Sequence, residues 1–215
     1  MNKQIIKNLI QNLNPIIFEI GCADGIDTKE FLEIFGDGLK IYCFEPDTRN
    51  IEVFTKGGFR PIMPEFTSPI NSKNVVFEPK AVGNVNGVVE FNQSSTIYSS
   101  SLKAPTENLF RTWSEISFNT ILEVESVTLD RYVEQNKIEL IDFIWADVQG
   151  AEDLLIEGGK NTFETKVKYF YTEYANVKYY NNSPTKEEIL SLLGPNWVIY
   201  QDFGTDVLLK NTYLV

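Results

Sequence analysis

Phe18-Glu19-Ile20-Gly21-Cys22-Ala23-Asp24-Gly25, followed further along by Phe44-Glu45-Pro46-Asp47, decides the fold of this chain. Each stretch ends an apolar, β-like run (Pro15 to Ile20, then Leu39 to Phe44), and each opens into a segment with helical spacing. A strand, a Gly-x-x-x-Gly turn, a helix and a second strand ending in an acid make a nucleotide-binding crevice. The charge around the glycines selects the ligand. A pyrophosphate needs backbone N–H groups and little negative charge nearby. Here Glu19 and Asp24 flank the turn, so a dinucleotide phosphate is repelled and a cation is favoured. S-adenosyl-L-methionine carries a sulfonium and an ammonium and no phosphate, and it fits. Glu45 ends its strand where a carboxylate can accept hydrogen bonds from ribose hydroxyls.

Composition narrows the alternatives. The 215 residues suffice for one α/β domain, read here as a single domain over 1–215. No apolar run approaches a membrane span, and Met1-Asn2-Lys3-Gln4 is not followed by a signal-type apolar core, so the expected location is cytoplasmic. Cys22 and Cys43 read as buried free thiols. A net charge of 19 − 30 = −11 without a Lys/Arg cluster disfavours nucleic acid. The absence of histidine removes Ser-His and Cys-His nucleophiles, leaving carboxylates, Lys, Tyr, Cys or an oxygen-ligated metal for acid–base work.

Periodicity predicts a short helix over 1–14, strands over 16–20 and 40–45, and helices from about 27 to 35 and 48 to 56. A third strand is expected over 75–82 and a short extended segment over 87–91. Residues 92–119, rich in Ser, Thr and Asn, read as a long loop able to cover an acceptor site. Regularity returns over 124–129, and strands over 140–146 and 167–174, helices near 130–136, 152–156 and 185–193, and a hairpin over 197–202 and 206–213 complete the pattern. Such alternation indicates a mostly parallel sheet with helices on both faces and a C-terminal antiparallel hairpin.

With these pieces placed, the chain resembles the FkbM-like family of S-adenosylmethionine-dependent methyltransferases. The resemblance rests on FEIGCADGIDT (18–28) with FEPD (44–47), on AVG (81–83) with the serines near 99–101, and on VTLDRYVEQNKIELIDFIWADVQGAEDLLIEGG (127–159). It implies a Rossmann-like class I methyltransferase fold with a seven-stranded sheet, and O-methylation of a sugar or other hydroxylated molecule, with S-adenosyl-L-homocysteine as product. The family usually has Lys-Ile-Asp-Val-Glu-Gly where this chain has Trp145-Ala146-Asp147-Val148-Gln149-Gly150. A His that often follows the acid matching Glu173 is also missing.

Glu19, Asp24, Glu45, Asp147 and Glu173 all fall at or beyond the carboxyl ends of expected strands, where ligands bind in this architecture. Glu19 and Asp24 are assigned to the methionine end, with Gly21, Cys22 and Gly25 in the turn. Glu45 is assigned to the ribose, and Pro46, Asp47, Ala81 and Val82 to the adenine. Ser100 and Ser101 resemble the family's serines that reach the cofactor. Asp147 is the first catalytic candidate and Glu173 the second, as bases or as ligands of a divalent ion such as Mg or Mn. Tyr98, Trp113, Gln149, Tyr179 and Asn181 are candidate contacts to a sugar or glycan acceptor.

Simpler roles compete: Asp47 or Asp147 as helix N-caps, Asp24 as a turn former, the aromatics as packing. A catalytically impaired cofactor-binding module and methylation of a non-sugar small molecule are the rival functions. The chain could also be one domain of a larger glycan-building enzyme.

Overall fold

The computed structural model describes residues 3–60 and 65–215. Helix α1 (Gln4–Leu9) precedes strand β1 (Ile16–Ile20), and α2 (Ile26–Phe35) leads to β2 (Lys40–Phe44). Helix α3 (Thr48–Lys56) is followed by β3 (Gly58–Arg60), β4 (Glu65–Thr67) and β5 (Val75–Glu78). Then come β6 (Ala81–Val82), β7 (Gly87–Gln93), α4 (Glu107–Thr112), β8 (Thr120–Val127) and α5 (Leu129–Gln135). Strand β9 (Ile141–Ala146), helices α6 (Glu152–Gly158) and α7 (Lys160–Thr165), and β10 (Val167–Glu173) follow. Helix α8 (Lys186–Leu193) and strands β11 (Trp197–Asp202) and β12 (Asp206–Asn211) end the chain.

Seven strands form the main sheet in the order β11-β12-β10-β9-β1-β2-β5. All neighbours are parallel except β12, which runs antiparallel to both β10 and β11. The fold is therefore the expected α/β one, a mostly parallel sheet with a terminal hairpin. The chain leaves β1 to one side for β2 and returns to its other side at β9, which creates a topological switch point between them.

Side chains of successive strand residues point to opposite faces, and the core divides accordingly. Phe18, Ile20, Ile144 and Ala146 join Leu129, Leu155, Ile156 and Phe163 on one face. Ile17, Ile41, Cys43, Phe143 and Trp145 join Ile6, Phe31 and Phe54 on the other. The one charged residue inside β9, Asp142, is buried, and it is matched by Lys168 Nζ at 2.8 Å and the Ile16 N–H at 3.0 Å.

Several expected boundaries move. The strand expected over 75–82 stops at Glu78, because Pro79 has no N–H to donate. Ala81 and Val82 instead pair with Ser126 and Val127 in a separate sheet of order β6-β8-β7. The helix expected over 1–14 is confined to Gln4–Leu9 among the described residues, and the regularity expected from 124 is strand β8, which begins at Thr120. The stretch 92–119 is more ordered than expected, with Asn92 bridged to Ser101 and α4 inside it. Helix α7 and the β3–β4 pair were not legible as separate elements.

The switch point is closed by backbone contact. Gly21 has φ +82°, and a Cβ there would lie 1.9 Å from the carbonyl oxygen of Asp147. The Asp147 N–H donates to the Ile20 carbonyl at 2.9 Å, and the Gly21 N–H donates to the Phe44 carbonyl at 2.9 Å. Gly21→Ala is expected to lower the urea midpoint strongly, since the backbone conformation alone costs about 1–3 kcal/mol and a steric overlap adds to it. Gly36→Ala, at φ +66° with nothing within 4 Å, is the control and should show the conformational part only.

Candidate active site

Turning the chain tightly at Gly21 sets the ends of β1, β2 and β9 side by side. The resulting cavity of about 630 Å³, counting its mouth, has Ile20, Phe44, Ala81 and Val82 as apolar floor. Its polar groups include Glu45, Asn50, Lys80, Tyr98, Ser100, Asp147 and Gln149. Glu45 is buried and accepts from the Ala23 N–H at 2.9 Å and the Asp47 N–H at 2.7 Å. Burial outweighs those bonds and pushes its carboxyl up to about 8.

Asn50 is a site residue that the sequence did not single out. Its Nδ2 donates to the Ile97 carbonyl at 2.7 Å, which fixes the amide orientation. Its Oδ1 is left buried without a hydrogen-bond partner while the residue lines the cavity. Buried acceptors of that kind cost stability unless a ligand satisfies them. No motif could reveal this, because Asn in a helix one turn past an N-cap is unremarkable.

The structure brings Gly21, Glu45, Pro46, Ala81, Val82, Ser100, Tyr98, Gln149 and Asp147 to the cavity wall. It does not bring Glu19 there. Glu19 is fully buried beneath α2, accepts from Thr28 Oγ1 at 2.6 Å, and lies 3.6 Å from Cys43 Sγ. Its place within β1 turns its side chain to the α2 face rather than to the crevice. Cys22 is likewise in the core, a free thiol beside Cys43. Gly25 serves as the left-handed N-cap of α2.

Asp24 accepts from the Ile26 N–H at 3.2 Å and the Tyr98 hydroxyl at 2.9 Å, so it holds the cavity roof. Asp47 is the N-cap of α3 and is buried. Burial alone would raise its pKa, but Arg49 at 2.6 Å holds it below the ordinary range. Ser100 Oγ donates to Asp47 at 3.0 Å, tying the roof to α3. Ser101 is buried and donates to the Gln149 carbonyl at 2.8 Å, again as a tether.

A second, wider cavity of about 1990 Å³, open to solvent, adjoins the first. The two share Ile97, Tyr98 and Gln149 as common walls. Trp113, Tyr174, Tyr179 and Tyr180 supply aromatic surface to the second, while Glu152 and Glu173 supply carboxylates. Asn181 is exposed and outside this lining; its N–H bonds to the Ala104 carbonyl at 2.9 Å.

Gln149 sits at the junction with φ +52°. Its Nε2 donates to Asp147 Oδ1 at 2.7 Å, and its Oε1 lies 3.0 Å from the Tyr180 hydroxyl. Burial raises Asp147 to about 6, against the lowering effect of Gln149. The charge of Asp147 in turn pushes Glu173, at the rim, above its ordinary value. Burial also lifts Glu152 to about 7. Carboxylates crowded in this way hold protons near neutral pH and suit acid–base work.

The methyltransferase FkbM domain matches this chain over residues 19–205. The chain belongs to the FkbM methyltransferase family. A curated relative, the 2-O-methyltransferase NoeI of Sinorhizobium fredii, is 32% identical over 225 residues, spanning 100% of this chain and 86% of its own. A solved structure described as a putative S-adenosylmethionine-dependent methyltransferase from Listeria monocytogenes aligns over 99% of this chain and 79% of its own. At 10% identity and a TM-score of 0.36 that likeness is too slight to bear on the site.

The cofactor that this family uses, S-adenosylmethionine, is matched by the residues present. The orphaned Asn50 Oδ1 and the Glu45 carboxyl can accept from nucleoside donors, and the apolar floor suits a purine. For a metal the fit is poorer: among the described residues no three His, Cys, Asp or Glu side chains come together as ligands.

Burial raises Glu19 from about 4.5 to about 8. A raised carboxyl binds its proton more tightly in the folded state, so its contribution is present at low pH and is lost as pH rises through that window. Glu19→Gln keeps an acceptor for Thr28 and cannot ionise. It is expected to raise the melting temperature more at pH 8 than at pH 5, checked by thermal unfolding across that range.

Proposed function

We propose that this methyltransferase moves a methyl group from S-adenosylmethionine to a hydroxyl of a sugar or glycan acceptor. The observation that carries the proposal is the meeting of the two cavities at Ile97, Tyr98 and Gln149, with Asp147 beside the opening. The narrower slot opens there onto a broad cleft with aromatic walls. Aromatic faces with Ser, Asn and Gln groups suit a saccharide, which needs stacking and many hydrogen bonds. The name of the NoeI relative, a 2-O-methyltransferase, points to the same reaction type.

Bound S-adenosylmethionine would supply an electrophilic methyl group. Glu45 and Asn50 would hold its nucleoside, and Tyr98, fixed by Asp24, would separate that pocket from the acceptor cleft. Asp147 would take the hydroxyl proton. With Gln149 engaging Oδ1, Oδ2 remains to accept from the substrate. Its raised pKa narrows the gap to a hydroxyl, and Glu173 beside it can share the proton. Placing both reactants in one geometry can supply about 7–11 kcal/mol of barrier reduction.

The family departures do not favour a binding-only module. Trp145 stacks on Tyr171 at 4.2 Å in the core, away from the cavity, and Gln149 orders Asp147 rather than disarming it. The same reading treats 1–215 as one domain at work in the cytoplasm, with 92–119 as roof of the acceptor site. Among the described residues no helix is long and apolar enough to cross a membrane.

Calorimetric titration with S-adenosylmethionine and S-adenosylhomocysteine, with NAD as control, tests the first half of the proposal. Glu45→Ala should abolish binding, and Asn50→Leu should weaken it about tenfold, the equivalent of one buried hydrogen bond. Asp147→Asn should bind normally yet lose about 10²–10⁴ in kcat toward a sugar acceptor. In the unaltered enzyme kcat/KM should rise with pH through about 6 as Asp147 ionises. Methyl transfer to sugars that is unaffected by Asp147→Asn would refute its role as base.

A further inference from the structure

The wall of the acceptor cleft carries carboxyl groups and no basic side chain. Among the described residues that line it, Glu115, Glu152 and Glu173 bring carboxyl groups and no Lys or Arg is present. Cations close by in the chain are committed elsewhere. Lys103 Nζ lies 2.6 Å from Asp153 and donates to the Asn182 carbonyl at 2.8 Å. Lys178 lies 3.8 Å from Glu188. The overall charge of −11 adds a field of the same sign.

A phosphate, sulfate or carboxylate on the acceptor would therefore enter a cleft with no cation to receive it. Recognition of such groups ordinarily uses Arg forks, Lys or a helix N-terminus. The uncharged part of the wall is a different matter. Trp113 and Tyr179 lie 4.7 Å apart at 59°, a bent aromatic surface against which a pyranose can pack.

Resting on the sugar-hydroxyl reading above, we infer that the acceptor is a glycoside without anionic groups, and that a nucleotide-activated sugar is rejected. Methylation then follows glycosyl transfer. In that earlier reaction the anomeric C–O bond to the nucleoside diphosphate breaks, a glycosidic C–O bond forms to a hydroxyl, and the nucleoside diphosphate departs with the bonding pair while the hydroxyl proton passes to base. In the later one the sugar oxygen gains the methyl carbon, the sulfur–carbon bond breaks toward sulfur, and the hydroxyl proton goes to Asp147.

The test uses the whole chain with saturating S-adenosylmethionine and matched sets of probes: methyl glucoside, methyl glucuronide and UDP-glucose, with the galactose and mannose sets alongside. Release of S-adenosylhomocysteine is followed at low and at high salt. For whichever sugar is accepted, the neutral glycoside should exceed its uronide and its nucleotide form by about tenfold or more in kcat/KM, and salt should narrow the gap. Glu115→Gln, at an exposed wall position outside the reacting groups, should narrow it too by raising turnover of the anionic forms.

Equal or better turnover of the nucleotide sugar or the uronide overturns the inference. So does a gap indifferent to both salt and Glu115→Gln. If calorimetry shows S-adenosylhomocysteine bound and no saccharide of any charge is methylated, the sugar-hydroxyl reading itself fails, and this inference with it.

Discussion

The structure depends on one close approach of backbone to backbone. At Gly21 the chain leaves β1 in a left-handed conformation and lies against the Asp147 carbonyl, where any side chain would collide. That approach, with the Asp147 N–H on the Ile20 carbonyl, locks the ends of β1 and β9 together. Glu45 and Asp147 then face one cavity from the ends of the two strands that flank β1. A wider separation at this point would leave the proposed cofactor slot and the candidate catalytic carboxylate without a common wall.

Burying acids around such a crevice is costly, and the molecule meets the cost in three ways. Asp47 is neutralised by Arg49 and stays ionised. Asp142 is paired with Lys168 and a backbone N–H. Glu19, Glu45, Glu152 and Asp147 are lifted toward neutrality, so that protons replace counter-ions. Three of those four line one of the two cavities, whereas Glu19 lies in the core and bears on stability alone.

The Ser-rich segment that follows β7 acts as a tethered roof. Asp24 holds Tyr98, Asn50 holds the Ile97 carbonyl, Asp47 holds Ser100, and Ser101 reaches the Gln149 carbonyl. Residues that on sequence grounds were expected to touch the cofactor thus divide into those that line its pocket and those that hold the lining in place. The second group is as necessary to the geometry as the first, because it fixes where the two cavities join.

The sequence by itself determined the architecture, since alternating apolar periods of strand and helix, a Gly-turn and an acid-ended second strand leave few other folds. It also pointed to Glu45 and Asp147, because strand ends in a parallel sheet converge on one edge whatever the loops do. Only the tertiary structure decided that Glu19 faces the core, since a side chain's face depends on strand parity and on what packs above it. Only it exposed Asn50, whose one distinguishing property is a missing partner. The makeup of the wider cleft was equally hidden: Glu115, Glu152 and Glu173 lie apart in the chain, and folding alone sets them around one cavity.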